Sequence, residues 1–344
     1  MASIVVISFR LGGLDGVSIE SAKWIKALGQ LGHEVTTLAG AGRADHLLPE
    51  LAMNAAGSVD LATLRRLLDG VDLVIVENIA SLPINRAARD ALYDLLSDRA
   101  ALFHHHDFSW QQAHWSHLPA PLDNPRWAHV VINQRSVEEL AQRGMRADLL
   151  RNRFDCSPPT GDRAATRAVM AVGEHGLVLM PSRAIARKNV AGAVTLARDL
   201  GASLWLLGPA EVGYETELDL LIADSGVRVL RGLPPTLSIH DAYAASDCVV
   251  VPSTWEGFGN PVLESVTHRR PLALNHYPVA QELLDFGFVF YELSDLAGLR
   301  AAMAVANEEE RAHNLAIARQ HFNIDDLPAE LEALLTRHFG WAKR

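Results

Sequence analysis

The feature that most constrains the fold is an alternation of short apolar runs with segments of helical periodicity. Residues 3–8 (SIVVIS) are apolar and β-branched, which is typical of a strand buried on both faces. A loop over residues 9–18 follows, with glycines at 12, 13 and 16. Residues 18–31 then show apolar side chains at helical spacing, with Ser18 as the predicted N-cap. A second strand is predicted over 34–39. Strand, loop, helix and strand in this order indicate a βαβ unit and a parallel sheet.

The same alternation runs through the chain in two series. The first series predicts strands at 72–77, 100–104, 128–132 and 148–151, and helices at 61–68, 85–96 and 136–143. Prolines and polar residues interrupt the pattern near 155–170, where we predict the domain boundary. The second series predicts strands at 177–180, 203–207, 227–230, 247–251, 271–274 and 288–291, helices at 191–200, 215–225, 239–245, 261–267 and 279–284, and only helices over 295–344.

These patterns predict an α/β chain with two doubly wound, Rossmann-like domains. We assign residues 1–155 to the first domain and 156–325 to the second, with a C-terminal helix over 326–344, for which packing against the first domain is one arrangement. In such sheets, ligands bind at the carboxyl ends of the strands, so two facing domains of this kind would form a cleft.

Composition excludes several classes of protein. A net charge of −10 over 344 residues argues against a general nucleic-acid binder. Two cysteines give no disulfide framework and favour a reducing, cytoplasmic setting. No signal peptide is recognisable, and no apolar run approaches the roughly 18 residues of a spanning helix. A peripheral membrane contact stays open.

The strongest site signal is the segment 252–265, which reads PSTWEGFGNPVLES. It follows the predicted strand 247–251 and enters a predicted helix. Glu256 and Glu264 are separated by seven residues that include Gly257 and Gly259. A carboxylate can accept two hydroxyl hydrogen bonds, and backbone N–H groups at a helix start can face a polar ligand, so the segment suits a polyhydroxyl ligand. The alternative to a ligand site is a helix N-terminus with an acidic residue that favours the helix dipole. This alternative would leave the glycines unexplained.

Two cations follow the first strand of the second domain. Arg183 and Lys188 are separated across a loop and a helix start, so both can reach one anion. Arg187 is predicted to be an ordinary solvated charge. Surface loops often carry such residues without a ligand, so the phosphate interpretation depends on the rest of the site.

The run His104-His105-His106-Asp107 ends a predicted strand. Because side chains alternate along a strand, His104 and His106 share one face and His105 points to the other. One face therefore offers at most two metal ligands, and the chain contains no Asp-x-Asp pair. We expect no metal site and predict a ligand contact for His106, against the alternative of a core histidine.

These motifs resemble the retaining GT-B-fold glycosyltransferases of family four, the group 1 transferases that use nucleotide-sugar donors. The likeness is carried by the segment 252–265 with its paired glutamates and by LMPSRAIARKN at 179–189, with weaker support from the first glycine loop and HHHDF.

The resemblance implies roles for individual residues. Glu264 would bind the ribose hydroxyls of the nucleotide and Glu256 the hydroxyls of the donor sugar. The backbone N–H groups of Gly257, Phe258 and Gly259 would contact the sugar or phosphates.

The diphosphate would be neutralised by Arg183 and Lys188 and would also meet the Gly16 N–H. His106 would lie near the transferred sugar. The predicted catalytic set is therefore His106, Arg183, Lys188 and Glu256.

The implied reaction is hexosyl transfer with retained anomeric configuration, without metal or bound cofactor. A UDP- or GDP-linked sugar would be the co-substrate and a small molecule or glycan the acceptor. An epimerase, hydrolase or phosphorylase on the same fold stays open, as does a nucleotide-sugar-binding protein without activity. A dinucleotide-dependent oxidoreductase is disfavoured because the first glycine loop is not GxGxxG.

Overall fold

The computed structural model describes residues 1–211, 213–304 and 307–341. The chain divides into two compact units. The first comprises Met1–Asn152 and the segment that begins at Asp325, and the second is Arg153–Ile324. The division therefore falls a few residues before the stretch 155–170 in which the sequence pattern breaks.

The first unit is built on a parallel sheet with the strand order β3-β2-β1-β4-β5-β6-β7. Its strands are β1 (Ser3–Leu11), β2 (Glu34–Gly42), β3 (His46–Leu47), β4 (Leu73–Glu77), β5 (Ala101–His105), β6 (Trp127–Val131) and β7 (Asp148–Leu149). Its first four helices are α1 (Gly16–Gln30), α2 (Leu61–Leu67), α3 (Arg86–Leu96) and α4 (Gln134–Ala141). Every residue of β4 and β5 is buried, as expected for strands covered on both faces. Because the strands are parallel, their carboxyl ends meet at one edge of the sheet. At that edge, Glu77 of β4 lies beside His104 of β5.

The start of α1 differs from the prediction. Asp15, not Ser18, is the N-cap, and its carboxylate accepts a hydrogen bond of 3.1 Å from the Ser18 N–H. The prediction of Ser18 was wrong because the helix begins three residues earlier, which leaves Ser18 inside the first turn, where its hydroxyl donates a hydrogen bond to the Asp15 carboxylate. Gly16 is consequently the first residue of the helix.

The second unit has a six-stranded parallel sheet with the order β10-β9-β8-β11-β12-β13. Its strands are β8 (Leu177–Met180), β9 (Ser203–Leu206), β10 (Val229–Arg231), β11 (Cys248–Val251), β12 (Leu272–Leu274) and β13 (Tyr291–Glu292). Its helices are α5 (Arg163–Val169), α6 (Val190–Leu200), α7 (Glu215–Ala223), α8 (Ile239–Ala245), α9 (Asn260–Thr267), α10 (Ala280–Leu284), α11 (Leu296–Ala304) and α12 (Glu308–His321). The helix α5, capped by Asp162, lies where the sequence predicted only a break.

A last helix, α13 (Leu327–Phe339), belongs to the first unit. Its apolar face carries Leu327, Leu331, Leu334 and Leu335, and these side chains share a buried cluster with Trp24 of α1 and with strand residues of the sheet. The spacing of the four leucines is that of one helix face. The C-terminal segment therefore completes one face of the first unit's core. No helix in the described part of the chain combines the length and apolarity needed to cross a bilayer.

Candidate active site

Residues 252–259 form the loop that connects β11 to α9, and residues 260–265 lie in the first turns of that helix. Gly259 is the N-cap of α9, with a φ of 96°, a conformation that favours glycine. A Cβ atom at this position would lie 2.2 Å from the Tyr277 hydroxyl oxygen. That hydroxyl donates a hydrogen bond of 3.1 Å to the Phe258 carbonyl oxygen, and the Phe258 side chain is buried. Glycine is therefore required at residue 259 both by its backbone angle and by its neighbour.

Glu256 is a buried carboxylate held by two cations. The Lys188 ammonium nitrogen lies 2.5 Å from one carboxylate oxygen, and an Arg187 guanidinium nitrogen lies 3.1 Å from the other. Only 6% of Glu256 is exposed. Burial raises the pKa of Glu256, but the charges of Lys188 and Arg187 outweigh this and the net pKa is lowered. The carboxylate is thus ionised and fixed in place before any ligand arrives.

Arg187 corrects the sequence prediction of a plain solvated charge. Its guanidinium also donates a hydrogen bond of 2.8 Å to the Trp255 carbonyl oxygen, and its own carbonyl oxygen accepts one from the Thr254 N–H. The cause is a single 3₁₀ turn, Ala186–Lys188, which directs both Arg187 and Lys188 at the glutamate loop. Sequence spacing alone did not reveal the direction of that turn.

Arg183 is the more exposed cation of this region. It follows β8, and 38% of its side chain is exposed, with one contact of 3.4 Å to the Glu211 carboxylate. Gly208, which follows β9, approaches so closely that a Cβ atom there would lie 2.6 Å from the Arg183 backbone. The backbone at Arg183 is thus fixed by a neighbouring strand end, while its guanidinium stays accessible to a ligand.

Glu264 lies in α9 and is linked to a chain of aromatic and imidazole groups. The Tyr243 hydroxyl donates a hydrogen bond of 2.7 Å to a Glu264 carboxylate oxygen. The Tyr243 ring stacks on His268 at 4.3 Å, and His268 Nδ1 lies 2.7 Å from the Glu264 carbonyl oxygen. His268 Nε2 in turn lies 2.9 Å from His240 Nδ1. Burial lowers the pKa of His268 to about 4, so its ring is neutral near pH 7. The sequence analysis assigned no role to Tyr243, although its place in α8 beside a glutamate-bearing helix was a usable signal.

The remaining predicted donor contacts are backbone groups. Gly257 precedes Phe258 in the loop and is partly exposed. Gly16 begins α1 in the first unit, is exposed, and would meet no atom within 4 Å if it carried a Cβ. Its lack of a side chain is therefore not a packing requirement within the first unit.

In the first unit, His106 forms a buried cluster with a residue that the sequence analysis missed. His106 Nε2 lies 2.8 Å from Glu77 Oε2, and His104 Nδ1 lies 3.0 Å from the same oxygen. On the opposite face, His105 Nε2 lies 2.9 Å from His129 Nδ1. The predicted alternation of the three histidines is thus confirmed. Glu77, the last residue of β4, is recognisable only once β4 is known to lie beside β5.

The electrostatics of this cluster favour an ionised Glu77. Burial opposes ionisation, but the two histidines lower its pKa to about 2. Burial also opposes protonation of His106, yet the hydrogen bond and charge of Glu77 give it a net raised pKa. Burial dominates at His104, and its pKa is lowered. The Glu77 carboxylate, with smaller contributions from Glu20 and Asp107, thus favours a proton on His106 more than on His104.

Glu77, His104 and His106 could also hold a cation. Their ligand atoms all lie within 4.8 Å of one another, and a carboxylate with two imidazoles is a donor set used for zinc. The sequence argument counted two groups on this face, and Glu77 corrects that count to three. The observed distances are those of ordinary hydrogen-bonded pairs.

The two Rossmann-like units have the GT-B fold, which solved glycosyltransferase structures share. Residues 171–307 match the family described as glycosyl transferases group 1. The chain is accordingly a glycosyltransferase, whose matched domain contains Arg183, Lys188, Glu256 and Glu264.

Two similar proteins are mannosylglucosylglycerate synthases. The one from Petrotoga mobilis is 24% identical, with 89% of this chain and 90% of the relative aligned. The one from Thermotoga maritima is also 24% identical, over 97% of this chain and 99% of the relative.

Among solved structures, HepE of Anabaena in complex with UDP and glucose is 18% identical and has a TM-score of 0.75, with 97% of this chain and 100% of that chain covered. Sucrose-phosphate synthase of Thermosynechococcus elongatus is 14% identical and has a TM-score of 0.73, with coverages of 98% and 99%. At these identities the structural likeness concerns the fold.

Proposed function

We propose that the chain transfers a hexosyl group from a nucleotide diphosphate sugar to an acceptor hydroxyl with retention of anomeric configuration and without a metal ion. The observation that carries the proposal is the buried ion-pair group of Glu256 with Lys188 and Arg187, in the same loop-helix segment as Glu264. It supplies a carboxylate for sugar hydroxyls and fixed positive charge for a diphosphate. Retention rests on the resemblance to the group 1 transferases.

Charge stabilisation of the leaving diphosphate would come from side chains. The bond between the anomeric carbon and the phosphate oxygen breaks, the acceptor oxygen forms the new bond, and the acceptor proton passes to the departing phosphate. Negative charge therefore grows on the diphosphate, where Arg183 and Lys188 would act as preorganised donors. Their permanent charge takes the place that a divalent ion occupies in metal-dependent transferases.

The proposed donor is linked to UDP or GDP, and the proposed acceptor is a small polar molecule. UDP is the nucleotide named for the HepE complex. The two bacterial relatives are named for mannosylglucosylglycerate, a small glycoside that bears a carboxylate. We extend that class of product to this chain, with mannosyl and glucosyl groups as the first sugars to test.

A thermal-shift screen tests the donor half of the proposal. UDP, GDP, ADP and dTDP would be added singly and as their sugar conjugates, and the matching nucleotide should raise the melting temperature by mass action. Glu264→Ala should reduce the shift. Glu217→Ala, which removes an exposed carboxylate from α7 in the same unit, should leave it intact. The absence of a shift with all four nucleotides would contradict the proposal.

Product analysis tests the chemistry. The matching donor would be incubated with glucosylglycerate and with simple sugars as acceptors, in the presence and absence of EDTA. Proton NMR should show a new glycosidic bond with the anomeric configuration of the donor, at a rate unaffected by EDTA. An inverted product contradicts retention, and loss of activity with EDTA contradicts metal independence. Free sugar, epimerised donor or sugar phosphate as the only product would instead identify a hydrolase, epimerase or phosphorylase.

A further inference from the structure

We propose that the consecutive residues Glu77 and Asn78 form a clamp that positions His106 for sugar transfer. Glu77 would orient the imidazole ring, and Asn78 would fix the backbone that carries it. The inference deepens the proposed function and rests on it for the role of His106 near the transferred sugar. The clamp itself is defined by contacts within the first unit.

The ring contact selects one tautomer of His106. An ionised carboxylate is only an acceptor, so the 2.8 Å contact with Glu77 Oε2 requires a proton on His106 Nε2. The other ring nitrogen, Nδ1, is then left to meet a ligand.

The backbone contact is made by the next residue. Asn78 Oδ1 accepts hydrogen bonds of 3.0 Å from the His106 N–H and 3.1 Å from the Asp107 N–H. The Ser81 hydroxyl donates a third bond of 3.0 Å to the same oxygen. The carboxyl end of β5 is thus tied to the loop that follows β4 through one side-chain atom.

Asn78 adopts a backbone conformation that most residues avoid. Its φ is 61°, in the left-handed region, where asparagine is among the better tolerated non-glycine residues. This conformation is strained and persists only where its surroundings enforce it. The distortion coincides with the three hydrogen bonds to Asn78 Oδ1, which links it to the positioning of His106.

The opposite face of β5 carries a second buried histidine, His105, whose contacts can be compared with those of His106. There His105 pairs with His129 and stacks near Phe103, and the nearby carboxylate is that of Asp123, which lies 3.3 Å from His129 Nε2 and is half exposed to solvent. Glu77 is instead fully buried, and its desolvation is a cost that the solvated Asp123 avoids. The charged partner on the His106 face therefore answers a requirement other than packing.

Histidine NMR tests the clamp independently of catalysis. Wild-type protein labelled with ¹⁵N on histidine should show His106 protonated at Nε2, with a ring proton protected from exchange. Glu77→Gln should shift this signal and leave His105 and His129 unchanged. A His106 ring protonated only at Nδ1 would overturn the proposal. A change in the His106 signals on addition of EDTA or zinc chloride would also overturn it, in favour of a metal site.

Steady-state kinetics test the effect of the clamp on turnover. With UDP-glucose and GDP-mannose as donors and glucosylglycerate as acceptor, Glu77→Gln and Asn78→Gly should each lower kcat by about 10- to 100-fold, the size of effect expected when a group beside the transferred sugar is misplaced. The donor KM should change less than twofold. Glycine accepts the φ of residue 78, so Asn78→Gly removes the side-chain bonds without backbone strain.

The control for the kinetic test is His129→Phe, which removes a buried imidazole from the other face of β5. This variant should leave kcat unchanged. Wild-type kcat in both clamp variants, or an equal loss in His129→Phe, would overturn the clamp. If neither UDP nor GDP binds the wild-type protein, the proposed function fails, while the NMR result still decides whether the clamp exists.

Discussion

Glu77, the last residue of a strand in the first unit, and Glu256, which follows a strand in the second, are both buried carboxylates, but they have different partners. Glu77 is paired with two imidazoles, and Glu256 with an ammonium and a guanidinium. Imidazoles gain and lose protons near neutral pH, whereas ammonium and guanidinium groups ordinarily do so only far above it. The first arrangement suits a group that must be oriented and have its proton controlled. The second arrangement suits the binding of a polyanion. Four substitutions in the second unit test its side of this contrast.

The largest effect is expected from Lys188→Met. Because it leaves Glu256 buried beside a single cation, the free energy of unfolding of the second unit should fall by about 3–5 kcal/mol. Chemical denaturation monitored by fluorescence measures it. Arg231→Met breaks the exposed ion pair with Asp219, at 2.7 Å, and should cost less than about 1 kcal/mol. Equal losses in the two variants would show that the Glu256 pair is no different from a surface pair.

Arg183→Ala should act on turnover and not on stability. Its side chain is 38% exposed, and its one ion-pair contact is with the exposed Glu211, so the melting temperature should barely move. Loss of a preorganised charge at the leaving diphosphate should lower kcat by about 100-fold. Steady-state kinetics with the donor found by thermal shift measure this. Unchanged turnover would remove Arg183 from the catalytic set.

Substitution of His268 should alter the pH dependence of stability. The native state holds the pKa of His268 at about 4 instead of 6.5, so its contribution is complete above pH 6.5 and is lost as the pH falls towards 4. Between pH 7 and 5 the wild type should lose about 2 kcal/mol more than His268→Gln. Denaturation at the two pH values checks this. His276→Gln, at an exposed histidine of the same unit, should keep the wild-type slope.

The smallest effect is expected from Tyr243→Phe. It removes one hydrogen bond to the Glu264 carboxylate, so UDP or GDP affinity should fall by about tenfold, as calorimetry would measure. Tyr291→Phe removes a similar hydroxyl, which lies 2.6 Å from the Glu310 carboxylate of α12, and should leave affinity unchanged. Equal affinity in both variants would show that Tyr243 does not support the nucleotide site.

The sequence predicts most of the fold because the information is local. Strands such as β8 and helices such as α8 were predicted to the residue, since apolar runs and helical periods are read directly along the chain. Short pieces were less readable. The helix α5 was missed, and β13 begins at Tyr291 rather than at residue 288, because each carries too few residues to show a period.

The candidate site was only partly predictable because its partners come from different strands. Glu256 and Glu264 were found within one segment. Glu77 could be connected with His106 only through the parallel register that places it beside His104. The pairing of Arg187 with Glu256 depends on a single 3₁₀ turn, for which sequence offers no periodic signal. Predicting contacts between distant segments thus requires the strand order, which the apolar pattern of the sequence does not specify.

The return of α13 to the first unit has a consequence for synthesis at the ribosome. The leucines of α13 are translated after the whole of the second unit, yet they cover the core around Trp24 in the first unit. The first unit therefore cannot be completed until all of Arg153–Ile324 has been made. Domains generally fold as units during translation, so the second unit can acquire its structure while the first still exposes an uncovered face to chaperones.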